Sequence, residues 1–160
     1  TIIDAIAISE TKPKLVVVGG LIPTTMPYLN LLRKRAIKKK VKLEVYPNVN
    51  RDTLIKLATS SKIFAHACIG EHFGIAVVEA MASGTPVIVH RSGGPYEDII
   101  DRGKYGLFYE TVEELAEEVD ELITDDKKWN KFHELSIRRA EEYGEKAFSD
   151  KLFDIINKLI

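Results

Sequence analysis

One cysteine, Cys68, stands in 160 residues. An intrachain disulfide framework is therefore excluded, and the chain suits a reducing compartment. No apolar run approaches the ~20 residues that cross a bilayer as a helix. Neither sign of charge dominates, the formal net charge being −1, so no global pull towards nucleic acid is expected. No strand-like run is followed by Gly-x-Gly-x-x-Gly, the dinucleotide fingerprint; Val18-Gly19-Gly20-Leu21-Ile22-Pro23 is a poor substitute. His, Cys, Asp and Glu nowhere adopt metal-ligand spacing, and no metal site is expected. The first ten residues lack a basic start and a small-residue cleavage site, so no secretory signal is read there. Thr1 leads straight into helical spacing (Ile2, Ile6, Ser9) with no capping signal ahead. The expectation is a piece of a larger protein, cut inside or just before its first helix.

What is present is enough for one ordinary domain with a real core. Hydrophobic residues make up 45% and charged residues 29%, the balance of a globular chain. Lys14 to Gly20 is a continuous apolar run ended by glycines, the pattern of a strand buried on both faces. A helix is expected from Met26 to Lys39, with Leu29, Leu32 and Ile37 towards the core. Further strands are expected over Lys42–Tyr46, Lys62–Ala67, Pro86–His90 and Tyr105–Tyr109. Asn50 or Asp52 is placed to cap a short helix, and Pro95 to open another. From about Thr111 the chain reads as two or three helices.

Strands alternating with helices predict an α/β fold, a doubly wound and mostly parallel sheet of about five strands. Ligands in such sheets lie beyond the carboxyl ends of the strands. Four loops fall there: Gly19–Gly20, Pro47–Asn50, Cys68–Gly74 and His90–Gly94.

Among these, Glu71-His-Phe-Gly-Ile-Ala-Val-Val-Glu79 carries the most information. A loop carboxylate comes first, and Gly74 then allows a tight turn. An apolar run opens a helix whose free amides suit an anion. Glu79 lies about a turn inside, roughly 6 Å beyond Ile75 at ~1.5 Å per residue. Two glutamates alone would mean little, because helix surfaces are full of them.

The surrounding text is more specific: Glu-His-Phe-Gly, then Val-Glu-Ala-Met-Ala-Ser-Gly-Thr-Pro-Val-Ile, then Ser-Gly-Gly-Pro-Tyr-Glu. This resembles the C-terminal, donor-binding half of the GT-B retaining glycosyltransferases of family 4. Within that family it looks most like the mannosyltransferases that extend lipid-linked oligosaccharides. The likeness runs from about Lys14 to Glu121 and is densest from Ile63 to Ile100. It implies a Rossmann-like domain, 1–160, and transfer of a sugar from a nucleoside diphosphate to an acceptor hydroxyl.

By the same resemblance, Glu71 faces the donor sugar and is the catalytic-site carboxylate. Phe73, Gly74 and Ile75 bring backbone amides to sugar and diphosphate. Glu79 accepts hydrogen bonds from the ribose hydroxyls, a task suited to a group with only acceptors. Val49 lies where family members touch the nucleobase. Gly93 and Gly94 shape a turn near the donor or a plain helix entry. Arg91 is either a phosphate contact or an ordinary surface arginine. His72 touches the donor or packs on Phe73, whereas His66 and Cys68 read as strand-end packing. No cofactor is implied beyond the substrate itself, GDP-mannose first and a UDP-sugar second. A non-catalytic nucleotide-sugar-binding module is the alternative to an enzyme.

The chain departs from the family pattern in one respect. The arginine and lysine that bind diphosphate after the domain's first strand are absent, as are that strand and the acceptor-binding N-terminal domain. The expected acceptor, a glycan or lipid-linked hydroxyl, would be met through that domain, and the isolated chain is expected to be inactive. The basic run Arg33–Lys42 reads as the solvated face of a helix, with an anionic membrane surface as the alternative. Leu115, Val119 and Leu122 form one stripe in the acidic stretch Glu110–Asp126, an amphipathic surface helix. A monomer is expected, in the cytoplasm or at the cytoplasmic face of a membrane.

Overall fold

A computed structural model describes residues 1–159. Five strands alternate with helices: β1 Leu15–Gly19, β2 Leu43–Pro47, β3 Phe64–His66, β4 Val87–His90 and β5 Leu107–Tyr109. The helices are α1 Ile2–Ile8, α2 Met26–Lys39, α3 Arg51–Thr59, α4 Ile75–Ala82, α5 Val112–Thr124, α6 Asp126–Glu141 and α7 Glu145–Leu159. A 3-10 turn, Pro23–Thr25, precedes α2, and a π-turn, Pro95–Ile99, follows β4. Its Ile100 amide donates to the Pro95 carbonyl at 3.0 Å, so Pro95 does open a helical turn.

Every strand pair is parallel, as the alternation requires. The expected single sheet of five is corrected in one respect. The strands form two ladders, β1–β2 and β3–β4–β5. β1 and β3 are not hydrogen-bonded neighbours, because a groove separates their edges. For the same reason β1 is half-buried, not buried on both faces as its apolar run suggested.

The core lies around β4, the middle strand of its ladder, whose Val87, Ile88 and Val89 are fully buried. Alternation divides them between two faces. Val87 and Val89 meet Val77, Ala80 and Met81 of α4, with Ile99 and Ile100. Ile88 meets Tyr109 and the Leu115–Val119–Leu122 stripe of α5. That stripe was legible in the sequence, and so was its start. Thr111 Oγ1 accepts from the Glu114 amide at 3.1 Å while Glu114 Oε2 accepts from the Thr111 amide at 3.3 Å, a reciprocal cap.

α2 has the expected limits but turns a different residue inwards. Leu29 and Ala36 are buried, whereas Ile37 is 78% exposed. Leu29 and Ala36 are two turns apart on one face; Ile37 is rotated about 100° from Ala36. α1 is held to the α5 side by Asp120, which accepts from Ser9 Oγ at 2.6 Å and from the Glu10 and Thr11 amides at 2.7 and 3.0 Å.

Candidate functional site

The carboxyl ends of the strands bring the expected loops together in two pairs. Beyond β1 and β2, the Gly19 carbonyl accepts from the Asn48 amide at 3.0 Å. The Asn48 side chain closes this corner by accepting from the Leu21 amide at 2.8 Å and donating to the Leu21 carbonyl at 3.0 Å. Val49 follows, half-buried, and Asn50 then caps α3 by accepting from the Thr53 amide at 2.9 Å. Beyond β3 and β4, the Gly70 amide donates to Ser92 Oγ at 3.0 Å and the Gly94 amide to the Glu71 carbonyl at 2.9 Å.

Gly93 and Gly94 are therefore the seat of the Glu71 loop. A methyl group at Gly93, where φ is +69°, would overlap the Glu71 carbonyl oxygen. One at Gly94 would overlap that of His72. Two side-chain-free residues let the loop lie directly on the β4 turn, a closer approach than a plain helix entry needs. The Glu71 side chain, half-buried on this seat, has no ion-pair partner among the described residues.

Gly74 turns the chain into α4 with φ at +94°. The residue is buried, and a methyl there would meet Pro95 and Ile99. Gly74 thus supplies the turn, and the amides of the next two residues have no backbone acceptor among the described residues. Ile75 and Ala76 are exposed and precede the first bonds of α4, in which Val77 and Val78 donate to the Gly74 carbonyl. Phe73 is 43% exposed, set edge-on to Tyr143 with centroids 5.7 Å apart, and His72 is exposed beside it.

Glu79 is not a free carboxylate. Arg51 Nη1 donates to its Oε1 at 2.7 Å. The sequence reading missed Arg51. Its one signal was position, since it directly follows Asn50, the residue expected to cap the helix. Arg91, read either as a phosphate contact or as an ordinary surface arginine, also has a carboxylate partner. Its Nη1 donates to Glu110 Oε1 at 2.8 Å, and its guanidinium lies over the rings of Tyr96 and Phe108.

His66, at the end of β3, was read as packing, and its environment is more specific than that. Its Nδ1 is buried without a hydrogen-bond partner among the described residues. Burial lowers its pKa, and the nearby Glu71 charge opposes this only in part. The imidazole is therefore neutral at neutral pH. Its carbonyl accepts from the Tyr109 hydroxyl at 3.3 Å. Burial pushes that phenol up to about 12.

A groove of about 1200 Å³ opens beside this cluster. Arg51 and Glu79 lie on its wall, whereas Glu71, Phe73, Gly74, Ile75, Val49, Arg91, Gly93 and Gly94 do not. The structure thus brings Glu71, the glycine seat and the start of α4 into one surface. Glu79 sits at the junction of that surface and the groove.

The sequence profile of the family described as glycosyl transferases group 1 matches residues 1–139. The chain belongs to this family. Among its curated relatives is the GDP-Man:Man(3)GlcNAc(2)-PP-Dol alpha-1,2-mannosyltransferase of Dictyostelium discoideum, 29% identical over 152 residues, 92% of this chain and 30% of the relative. The Homo sapiens protein of the same name is 30% identical over 155 residues, 91% of this chain and 30% of that one. This group 1 domain therefore spans about 30% of the length of these relatives. Among solved structures, Anabaena HepE in complex with UDP and glucose superposes with a TM-score of 0.84 at 21% identity, over 99% of this chain and 44% of that chain. The likeness establishes the GT-B type of fold that the motifs implied.

Proposed function

We propose that this group 1 domain binds a nucleoside diphosphate sugar at the carboxyl ends of β2, β3 and β4, as the donor half of a retaining mannosyltransferase. The observation that carries the reading is the seat at Gly93–Gly94. It holds a half-buried carboxylate, Glu71, without an ion-pair partner among the described residues, next to the amides of Ile75 and Ala76, which have no backbone acceptor there. Those amides and the helix dipole favour the diphosphate, whose oxygens gain charge as the glycosidic bond breaks. Glu71 orients the sugar and supports its developing positive charge. Glu79 keeps Oε2 for the ribose hydroxyls while Arg51 holds Oε1.

GDP-mannose is the proposed donor, on the names of the relatives and the Glu-His-Phe-Gly-Ile motif. The acceptor in this reading is a glycan or lipid-linked hydroxyl, the setting is cytoplasmic, and no metal is needed. A UDP-sugar is the second reading, favoured by the UDP held in the similarly folded HepE. Calorimetry with GDP, UDP, GDP-mannose and UDP-glucose, with and without EDTA, tests both. GDP-mannose is expected to bind tightest, unaffected by EDTA. Preference for UDP-glucose would move the reading to the second donor, and no binding by any of the four would reject it.

A further inference from the structure

Glu71 hangs between two hydrogen bonds. Its own carbonyl accepts from the Gly94 amide at 2.9 Å, and the amide of the preceding residue, Gly70, donates to Ser92 Oγ at 3.0 Å. The two bonds differ in kind. The first joins backbone to backbone, and the chain itself sets its direction. The second ends on a hydroxyl, whose proton rotates unless a further group takes it. That group is His90, the last residue of β4, whose Nδ1 lies 2.8 Å from Ser92 Oγ. The Ser92 amide donates to the His90 carbonyl at 2.7 Å, a tight turn that brings the two side chains within reach.

The imidazole is itself seated. Its ring stands edge-on to that of Tyr109, with centroids 5.4 Å apart and an interplanar angle of 89°. Tyr109 is buried, and its hydroxyl donates to the His66 carbonyl at 3.3 Å. His66 ends β3, where the segment that carries Glu71 begins. Contacts therefore run from the end of β3 through Tyr109, His90 and Ser92 and return to the same segment at Gly70.

Counting hydrogens gives the direction of the relay. Ser92 Oγ accepts from Gly70, so its single proton is free for Nδ1 of a neutral His90, whose ring proton then sits on Nε2. In Gly70 N–H···Oγ–H···Nδ1 both bonds point the same way, and a hydroxyl that donates is polarised into a better acceptor. Loss of the Nδ1 acceptor returns the Ser92 proton to free rotation and weakens the hold on Gly70.

We infer that His90 is a positioning residue for Glu71: by taking the Ser92 proton it fixes Ser92 Oγ as the acceptor of the Gly70 amide, and so fixes the loop that carries the carboxylate. In this role it acts through Ser92 and not on the donor itself. Its effect on donor binding rests on the proposed place of the sugar beside Glu71, whereas the relay rests on the contacts alone.

NMR tests the relay and calorimetry its consequence. Above the His90 titration, Nδ1 should give the nitrogen signal of an unprotonated, hydrogen-bonded acceptor and Nε2 that of a protonated nitrogen. His90→Phe should speed exchange of the Gly70 amide about fivefold, the size expected of one neutral hydrogen bond. The Ile88 amide, in the middle of β4, should be unaffected. His90→Asn, whose Oδ1 offers an acceptor near the place of Nδ1, should restore slow exchange. Ser92→Ala, which leaves the His90–Tyr109 contact alone, should match His90→Phe and decides the point if that variant does not fold. The preference for GDP-mannose over GDP should fall about fivefold in His90→Phe and return in His90→Asn. A proton on Nδ1 of the wild type, Gly70 exchange indifferent to both His90→Phe and Ser92→Ala, or an Asn variant no better than Phe would overturn the inference. A wild type that shows the relay yet binds GDP and GDP-mannose equally would leave the inference standing and remove only the proposed sugar site.

Discussion

Arg51 and Glu79 are joined at 2.7 Å across the carboxyl-end rim, from the first residue of α3 to the second turn of α4. Both side chains remain well exposed, at 68% and 40%. An ion pair this open to solvent contributes about 0–1 kcal/mol to stability. Its effect is one of position, fixing one carboxylate oxygen of Glu79.

Replacement of Arg51 by Ala should therefore shift unfolding by less than about 1 kcal/mol. Glu79→Ala should weaken GDP binding by about tenfold, or ~1.4 kcal/mol. It should also abolish the preference for GDP over its 2′-deoxy analogue. Equal calorimetric affinity of the wild type for both nucleotides would remove Glu79 from the ribose contact.

Gly93→Ala and Gly94→Ala should each destabilise the fold by about 1–3 kcal/mol, since the added methyl meets backbone that has little room to move. Gly93 adds the cost of a left-handed conformation for an L-residue. Urea unfolding measures the loss. GDP-mannose binding should fall more than GDP binding, because the displaced loop carries Glu71.

His66 makes stability depend on pH with a definite sign. Burial lowers its folded pKa beneath the unfolded value of 6.5. Its contribution is present above that value and is lost as pH falls through it, because the unfolded chain takes up the proton first. Urea midpoints of the wild type should drop between about pH 7.5 and 5.5 more than those of His66→Phe. Glu71→Gln removes the opposing charge, so the His66 titration followed by NMR should move lower still.

Asp120 is a structural counterpart to the site carboxylates. Burial raises its pKa, but the hydrogen bonds from Ser9 and Thr11 outweigh this and hold it below the ordinary 3.8. Stability from this group is present above that value and fades as pH falls further. Asp120→Ala leaves the Ser9–Thr11 turn without its acceptor and should cost about 1–3 kcal/mol. The loss should appear as a lower Tm with nucleotide affinity retained.

Most of the fold was legible because local signals agreed with one another. The Pro86–His90 run, the Leu115–Val119–Leu122 stripe and the capping residue Asn50 each act within a few residues. Ile37 misled, because periodicity shows that a helix has an apolar face but Ala36 shares the phase of Leu29. The Lys14–Gly20 run was read as a strand buried on both faces. Its composition fits that state, but burial needs a neighbour that composition does not supply.

The site divides the same way. That a carboxylate, a glycine turn and a helix start follow one another from Glu71 to Glu79 is a property of chain order, determined by the sequence alone. That the Glu71 carbonyl rests on Gly94, that Arg51 claims one oxygen of Glu79, and that Arg91 pairs with Glu110 were decided only in three dimensions. Each joins residues distant along the chain, and which of several possible partners a charged or backbone group finds is set by how strands and helices pack. Spacing fixes what a segment can offer; tertiary geometry fixes who accepts it.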